Sequence, residues 1–218
     1  MALTRPRDSS IDRLPPLREL IEDVAEIGVD LERQGVLLVA DDPLGGEAED
    51  RNGGSAADAE HIVGELMKGY LLRRPVPEEI RAKLIATSSQ DGNYLADHLQ
   101  GGLPGISLVS QTALISAIAN DTAADMAYAQ QVYAYGREGD AIIGISTSGN
   151  ARNVIHAVQV ARALGLQSIG LTGPSGGALK PLCEVCICVP AENTPAVQER
   201  HLPIFHVLCA MLEEEFFA

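Results

Sequence analysis

The sequence predicts an α/β fold, a doubly wound parallel sheet flanked by helices on both faces. Short segments of Val, Ile, Leu and Ala recur along the chain, and stretches with helical periodicity separate them. The apolar residues in these segments are continuous rather than alternating, which is typical of strands buried on both faces. Strands that alternate with helices in this way form parallel sheets. The predicted strands are residues 36–40, 105–109, 141–145, 168–171 and 185–189.

Helices are predicted where apolar residues recur at intervals of three and four. The polar N-terminus contains three prolines and predicts a flexible arm at residues 1–16, followed by a single domain at 17–218 that begins with a helical extension. The acidic, glycine-containing segment 41–51 predicts a loop after the first strand. The predicted helices are 11–33, 55–70, one beginning near Glu78, 111–119, 122–135, 150–164 and 195–216, with a helical turn at 176–182.

Charge and hydropathy exclude several classes of function. The chain has a formal net charge of −14, and no Lys/Arg-rich run supplies the basic face that nucleic-acid binding needs. No apolar run reaches the roughly 20 residues of a membrane span. The N-terminal residues lack the apolar core of a signal peptide. We therefore expect a cytoplasmic protein that binds neither nucleic acid nor a membrane.

Three of the four cysteines imitate a metal-binding knuckle. Cys183, Cys186 and Cys188 lie together in the segment LCEVCICVP. Residues 185–189 also have the composition of a buried strand, in which cysteine acts as a small apolar residue. We favour the second interpretation, because it also fits the alternation of strands and helices.

Two loops after predicted strands have the composition of anion-binding sites. In parallel sheets, ligands bind beyond the carboxyl ends of the strands. Residues 146–150 (STSGN) follow a strand and open a helix, where free backbone N–H groups and the helix dipole favour a phosphate. Residues 52–55 (NGGS) follow the first strand, and Ser55 is predicted to begin a helix with Asp58 in its first turn. Each loop also has the simpler interpretation of an ordinary helix cap.

Acid–base or metal-binding side chains are predicted on two helices. His61 and Glu65 lie four residues apart and therefore share one face of their helix. Such a pair suits a divalent metal, or a carboxylate base beside an imidazole, and it is also common as a surface pair. The last helix carries Gln198, His201 and His206. His206 lies among apolar residues, so it has the alternative interpretation of a core histidine.

Together, and in this order, the motifs resemble the phosphoheptose isomerases, which interconvert sedoheptulose 7-phosphate and a heptose 7-phosphate. The first matching segment is specific to that family and its near relatives, whereas STSGN marks the wider group of sugar isomerase (SIS) domains. The resemblance implies an SIS-type doubly wound sheet from about residue 17 onwards. The matching segments are NGGSAADAEHIVGEL (52–66), Asn120-Asp121, GISTSGNARNVI (144–155), LTG (171–173) and VQERHLPIFHVL (197–208).

The resemblance also implies roles for individual residues. Glu65 would move a proton between C1 and C2 of the sugar through an enediol, and His206 would be its acid–base partner. The implied substrate-binding residues are Asn52, Gly53, Gly54, Ser55, Asn120, Asp121, Ser146, Thr147, Ser148 and Gln198. The implied zinc ligands, for one ion per subunit, are His61, Glu65, Gln198 and His206. The expected partners are a small sugar phosphate and further copies of the chain, in a homotetramer with sites at subunit boundaries.

One geometric conflict accompanies the implied zinc ligands. Gln198 and His206 are separated by roughly 12 Å along a straight helix, so both cannot reach one ion from it. Either the chain near Gln198 is not helical, or different subunits contribute their residues. His201, one turn after Gln198, is a competing ligand.

The chain departs from the family at the substrate end. It has an acidic insertion near residues 41–50, with Arg51 in place of a glycine, Ala151 in place of a serine and Ala196 in place of an arginine. These differences leave the implied acid–base pair in place and affect the choice of sugar. Two alternatives to an isomerase follow: a non-catalytic interaction module of the type that associates with the replication initiator, and a sugar-phosphate sensor.

Overall fold

The structure, a computed structural model, describes residues 35–40 and 53–218. The predicted arm at 1–16, the predicted helix at 11–33 and the acidic segment 41–51 lie outside the described residues, as does Asn52. The extent of the domain predicted at 17–218 therefore stays a prediction.

The strands form one five-stranded sheet in which all neighbours are parallel, in the order β2-β1-β3-β4-β5. β1 lies in the sheet interior, and all five of its residues are buried. This topology confirms the α/β fold and the parallel sheet predicted from the continuous apolar segments. The strands are β1 (Val36–Ala40), β2 (Gly105–Ser107), β3 (Ala141–Ser146), β4 (Gln167–Thr172) and β5 (Val185–Cys188).

Helices cover both faces of the sheet. Alternate residues of β1 point in opposite directions, so Leu38 joins the core beneath α1 and α7, and Val39 joins the core beneath α4, α5 and α6. The last helix begins after Asn193, whose side-chain oxygen accepts the N–H of Ala196 at 3.0 Å. The helices are α1 (Gly53–Met67), α2 (Glu78–Thr87), α3 (Gly92–His98), α4 (Thr112–Asp121), α5 (Ala127–Tyr135), α6 (Arg152–Ala163) and α7 (Thr194–Phe217).

The start of α1 differs from the prediction. The helix begins at Gly53 rather than at Ser55, so Asp58 lies beyond its first turn. Ser55 is fully buried and lies on the same face as Ala59 and Ile62, which pack in the core. The buried face of α1 therefore begins at Ser55, whereas the helical backbone begins two residues earlier, at Gly53.

The end of one predicted strand also differs from the prediction. The predicted strand 105–109 ends at Ser107 and continues as a 3₁₀ turn at Leu108–Ser110. The carbonyl oxygen of Leu108 accepts a hydrogen bond from the side chain of Gln131 at 3.0 Å instead of a strand partner. The helix predicted to begin near Glu78 is confirmed as α2, which buries no residue, and α3 follows it as a separate short helix.

A buried ion pair joins α7 to the end of α1. Arg74 and Glu213 are 2% and 1% exposed, and the Nε–H of Arg74 donates to Oε1 of Glu213 at 2.8 Å. The other guanidinium nitrogens donate to the carbonyl oxygens of Leu66, at 2.8 Å, and Glu65, at 3.2 Å. These are carbonyl groups of the last turn of α1, which have no partner within the helix. The guanidinium therefore caps α1 and binds α7 at once.

The same carboxylate also binds the segment that follows α1. The N–H groups of Tyr70, Leu71 and Leu72 donate to Glu213 at 2.8, 2.6 and 2.9 Å. Burial alone raises the pKa of Glu213, but these three bonds and Arg74 outweigh it and bring the pKa to about 2. Glu213 is therefore ionised and fully hydrogen-bonded inside the protein.

Among the helices of residues 35–40 and 53–218, none is both long enough and apolar enough to cross a membrane.

The Glu213→Gln substitution is expected to destabilise the protein by about 3–5 kcal/mol, because it leaves the Arg74 charge buried without a counter-charge. The measurement is the free energy of unfolding in urea at pH 7. Glu215→Gln is the matched control, since Glu215 is exposed and lies two residues after Glu213 on the same helix. Its expected effect is within about 0.5 kcal/mol. Equal effects of the two substitutions would contradict the role of the ion pair.

Candidate active site

Helices α1 and α7 lie side by side and run in the same direction. Near their starts, Gly54 meets Gln198: a Cβ at position 54 would lie 2.6 Å from the side-chain nitrogen of Gln198. Two turns later, His61 meets His206, with 3.4 Å between their Nε2 atoms. A side chain at position 54 would displace this amide, so the glycine lets Gln198 lie directly against α1.

His61, Glu65 and His206 form a cluster at the second contact. Nε2 of His61 lies 3.3 Å from Oε1 of Glu65 and 3.4 Å from Nε2 of His206. The other carboxylate oxygen of Glu65 accepts a hydrogen bond from Lys68 at 2.9 Å. The side chain of Glu65 is 13% exposed and that of His61 is 43% exposed, so the cluster is open to a ligand from the side of His61. Three of the four implied zinc ligands, which include the implied catalytic pair Glu65 and His206, thus lie near one another.

Gln198 does not lie in this cluster. It is within α7, which is helical from Thr194 to Phe217, so the chain near Gln198 is helical. Gln198 and His206 are eight positions apart, which is about 12 Å along the helix. The explanation that the chain near Gln198 is not helical is therefore wrong. Gln198 lies beside Gly54 instead.

The loop after β3 packs against the loop after β4. The N–H of Gly173 donates to the carbonyl oxygen of Thr147 at 3.0 Å, and the N–H of Leu179 donates to that of Gly149 at 2.9 Å. Gly149 has φ +69°, and a Cβ there would collide with the carbonyl oxygen of Gly176. Glycine is therefore the residue that permits these two backbones to approach.

The three hydroxyl residues of this loop have different environments. Ser146 is fully buried and its Oγ accepts the N–H of Gly149 at 3.1 Å, while Thr147 is also buried. Ser148 is half-buried, and its Oγ accepts the N–H of Asn150 at 3.1 Å. No side chain caps α6, which begins directly after Ala151. The N–H of Val154 is bonded to the Asn153 side chain at 2.9 Å, so an anion at the start of α6 would meet the N–H groups of Arg152 and Asn153.

Asn120 and Asp121 lie on the other face of the sheet. They end α4, whose buried residues Ile115 and Ile118 belong to the core beneath α4, α5 and α6. Both are exposed, and the Asn120 side-chain amide donates to Asp121 at 2.8 Å. A single copy of the chain does not bring this pair to the His61, Glu65 and His206 cluster.

His201, considered as a competing ligand, is a core residue. It is fully buried, and its Nε2–H donates to the carbonyl oxygen of Thr172 at 3.3 Å. Its Nδ1 is buried without a hydrogen-bond partner in the described chain. Burial, partly opposed by the bond to Thr172, lowers the pKa of His201 to about 4. The neutral ring therefore joins α7 to the end of β4.

Asp58 is a residue of interest that the sequence motifs did not single out. It precedes His61 by one turn on α1, and its Oδ2 is buried without a partner in the described chain. Burial raises the pKa of Asp58 to about 6, although the charge of His61 opposes this shift. The sequence could have indicated Asp58, because a residue three positions before His61 lies on the same face of the helix.

The cysteine segment is the strand β5. The Sγ atoms of Cys186 and Cys188 are 3.8 Å apart on the same side of the strand. Burial raises the pKa of Cys183 to about 12 and that of Cys186 to about 11, as expected of cysteines packed as small apolar residues. Within the described residues, no group of three or more His, Cys, Asp or Glu side chains is arranged to hold a metal ion.

Comparison with known proteins identifies the class first. Residues 95–173 match the family model described as SIS domain. This part of the chain, which contains β3 and the STSGN segment, is therefore an SIS domain, as that segment predicted.

The likeness extends well beyond that domain model. The chain is 37% identical over 201 residues to the phosphoheptose isomerase of Aneurinibacillus thermoaerophilus, covering 92% of this chain and 84% of that protein. It is 40% identical over 166 residues to phosphoheptose isomerase 2 of Campylobacter jejuni, covering 76% and 70%. A solved phosphoheptose isomerase from Francisella tularensis aligns with a TM-score of 0.69 at 27% identity, covering 94% and 89%. The chain belongs to the phosphoheptose isomerase family, and it is an isomerase.

Gly149→Ala is expected to destabilise the protein by more than the roughly 1–2 kcal/mol that a left-handed backbone costs an L-residue, because a backbone collision adds to it. The control is Gly64→Ala, inside α1, where a Cβ would meet no atom within 4 Å. That substitution is expected to stabilise the protein by up to about 1 kcal/mol through helix propensity. Urea unfolding of both variants measures the difference, and a neutral Gly149→Ala would refute the close packing of the two loops.

A pH dependence is expected from His201. Its folded pKa is lowered, so between pH 6.5 and pH 4 the unfolded chain binds a proton that the folded chain does not, and stability falls as pH falls. Relative to His201→Gln, the native chain should lose about 2 kcal/mol of unfolding free energy between pH 7 and pH 5. Asp58 contributes with the opposite sign, but equally in both proteins.

Urea unfolding at pH 7, 6 and 5 measures this difference. His98→Gln, at an exposed histidine, is the control and should keep the native slope. Parallel pH profiles for the native chain and His201→Gln would show that His201 is not buried as a neutral ring.

Proposed function

We propose that the chain converts sedoheptulose 7-phosphate to D-glycero-D-manno-heptose 7-phosphate through an enediol. The observation that supports this most directly is the meeting of His61, Glu65 and His206 between α1 and α7. Aldose–ketose isomerisation needs one group that moves a proton between two carbons and another that serves the two oxygens. The family to which the chain belongs supplies the choice of a heptose phosphate.

In this proposal Glu65 is the base. Its side chain is 13% exposed, and Oε2 is held by Lys68, while Oε1 lies beside Nε2 of His61. Oε1 would take the proton from C2 or C1 and return it to the other carbon. His206 would deliver and remove the proton on the oxygens, because its ring lies against that of His61 beside the same carboxylate.

We further propose that zinc binds at this cluster, held by His61, Glu65 and His206. Two imidazole nitrogens and a carboxylate are the donor set of many catalytic zinc sites, with bonds of about 2.0–2.2 Å. Donor atoms at those bond lengths around a tetrahedral ion are about 3.3–3.5 Å apart. The distances from His61 to Glu65 and to His206, 3.3 and 3.4 Å, agree with that spacing.

To hold an ion, the three side chains would have to close around one point, which they do not do as placed. When bound, zinc would polarise the substrate carbonyl. Gln198, about 12 Å along α7 from His206, fits a role towards the phosphate end of the substrate better than a role as ligand of the same ion.

The phosphate is proposed to bind at the loop 146–150. Ser148 and the first N–H groups of α6 would donate to it, while buried Ser146 and Gly149 shape the loop. This loop contacts the start of α7 through Gly173, which packs on Val197 and bonds to Thr147. The phosphate and the reacting carbons would thus lie towards different ends of α7, which suits an elongated sugar phosphate.

The active unit is proposed to be a homotetramer whose sites lie at subunit boundaries. Asn120 and Asp121 are exposed on the opposite face of the sheet from His61 and His206. If the family's roles for these residues hold, another copy of the chain must bring them to the site. Size measurement in solution is therefore part of the test.

The purified protein is expected to convert sedoheptulose 7-phosphate to the aldose, to lose turnover in a chelator and to regain it with zinc. Glu65→Gln should lower kcat by at least about a thousandfold, because the base is removed, while the substrate still binds. Turnover is followed by the aldose formed, and binding by calorimetry with the same substrate.

Glu60→Gln is the control for charge on the same helix, since Glu60 is exposed and its partner is Ser110 at 2.8 Å. It is expected to keep the native kcat. Native turnover in Glu65→Gln would eliminate Glu65 as the base. Turnover that survives complete removal of metal would show that zinc is not required. That result would not contradict the role of Glu65 as the base.

A further inference from the structure

His206 has few contacts that fix the orientation of its ring. In the described chain its one hydrogen-bond-range contact is with Nε2 of His61 at 3.4 Å. The rings of His61 and Phe205 meet it edge-on, at centroid distances of 4.9 Å each. These contacts do not fix the plane of the imidazole ring. An acid–base group needs a fixed ring plane, because proton transfer depends strongly on orientation.

One aromatic ring lies parallel to His206. Tyr70 stacks on it with 5.6 Å between centroids and 19° between ring planes. Parallel and offset rings at such distances attract each other, and the contact covers one face of the imidazole. Tyr70 follows α1 in the chain, so its ring reaches His206 from outside both helices.

The position of Tyr70 is set by its backbone. Its N–H donates to Oε1 of Glu213 at 2.8 Å, and the next two N–H groups donate to the same carboxylate. Glu213 lies seven residues after His206 on α7, which is two turns and therefore the same face. One helix thus carries both the imidazole and the carboxylate that places the ring above it.

We propose that Tyr70 is a positioning residue for His206, and that Glu213 acts on the site by holding the backbone of residues 70–72. The stacked ring keeps the imidazole plane aligned so that Nε2 points to His61 and Glu65. This inference rests on the proposed acid–base role of His206. It requires the aromatic ring of Tyr70 and makes no use of its hydroxyl.

Two substitutions separate the ring from the hydroxyl. Tyr70→Phe keeps the stack, and its kcat for sedoheptulose 7-phosphate is expected within about twofold of the native value. Tyr70→Leu keeps apolar volume without a ring face, and its kcat is expected to fall about tenfold or more, with KM within about threefold. Because both variants leave the hydrogen bonds to Glu213 in place, their melting temperatures should agree.

NMR of the histidine side chains supplies a readout independent of turnover. Removing the stacked ring should shift the His206 ring resonances in Tyr70→Leu but not in Tyr70→Phe, with the assignment made from His206→Gln. Tyr94→Leu is the matched control, since Tyr94 stacks on His98 at 4.0 Å on α3. It should shift His98 alone and keep the native kcat.

Native kcat in Tyr70→Leu would overturn the inference, and so would an equal loss in Tyr70→Phe. If the native chain does not turn over sedoheptulose 7-phosphate, the proposed function fails separately, and the NMR comparison decides the positioning. In that case an NOE between the His206 and His61 rings that is kept in both variants overturns it, and an NOE lost in Tyr70→Leu but kept in Tyr70→Phe supports it.

Discussion

The arrangement of α1 and α7 depends on the buried carboxylate of Glu213. It receives three consecutive backbone N–H groups and the Nε–H of Arg74, whose other nitrogens bind the last carbonyl groups of α1. A buried ion pair adds little net stability compared with apolar packing, but breaking it is costly. Any sliding of α7 along α1 would separate these partners, so the pair acts chiefly to select one register of the two helices.

That register decides which side chains meet at the candidate active site. Gly54 meets Gln198 and His61 meets His206, two turns further along both helices. A slip of one turn is about 5.4 Å, which would take the two Nε2 atoms out of reach of a common ligand. The chemistry proposed for Glu65 therefore depends on the ion pair of Arg74 with Glu213, two residues that have no proposed contact with the substrate.

The sequence predicted the parts of the fold that depend on local pattern. Buried strands such as 141–145 and the pairing of His61 with Glu65 follow from periodicity, and both are confirmed. The ion pair of Arg74 with Glu213 joins residues far apart in the chain, so no local pattern predicts it. His201 shows a different limit of sequence analysis. The sequence around a histidine does not reveal whether its side chain faces a metal site or the core.

An acidic protein that binds a sugar phosphate must favour the anion locally. The net charge of −14 acts at long range, but salt screens it beyond about 8 Å. The donors at residues 146–150 are hydroxyls and backbone N–H groups at the start of α6, which act within one turn of the helix and are not removed by surface carboxylates. Gly149 and its contact with Gly176 hold those groups in place by close backbone packing. If the phosphate binds at this loop as proposed, the charge of the whole chain opposes it little, because the loop offers fixed dipoles rather than lysine or arginine side chains.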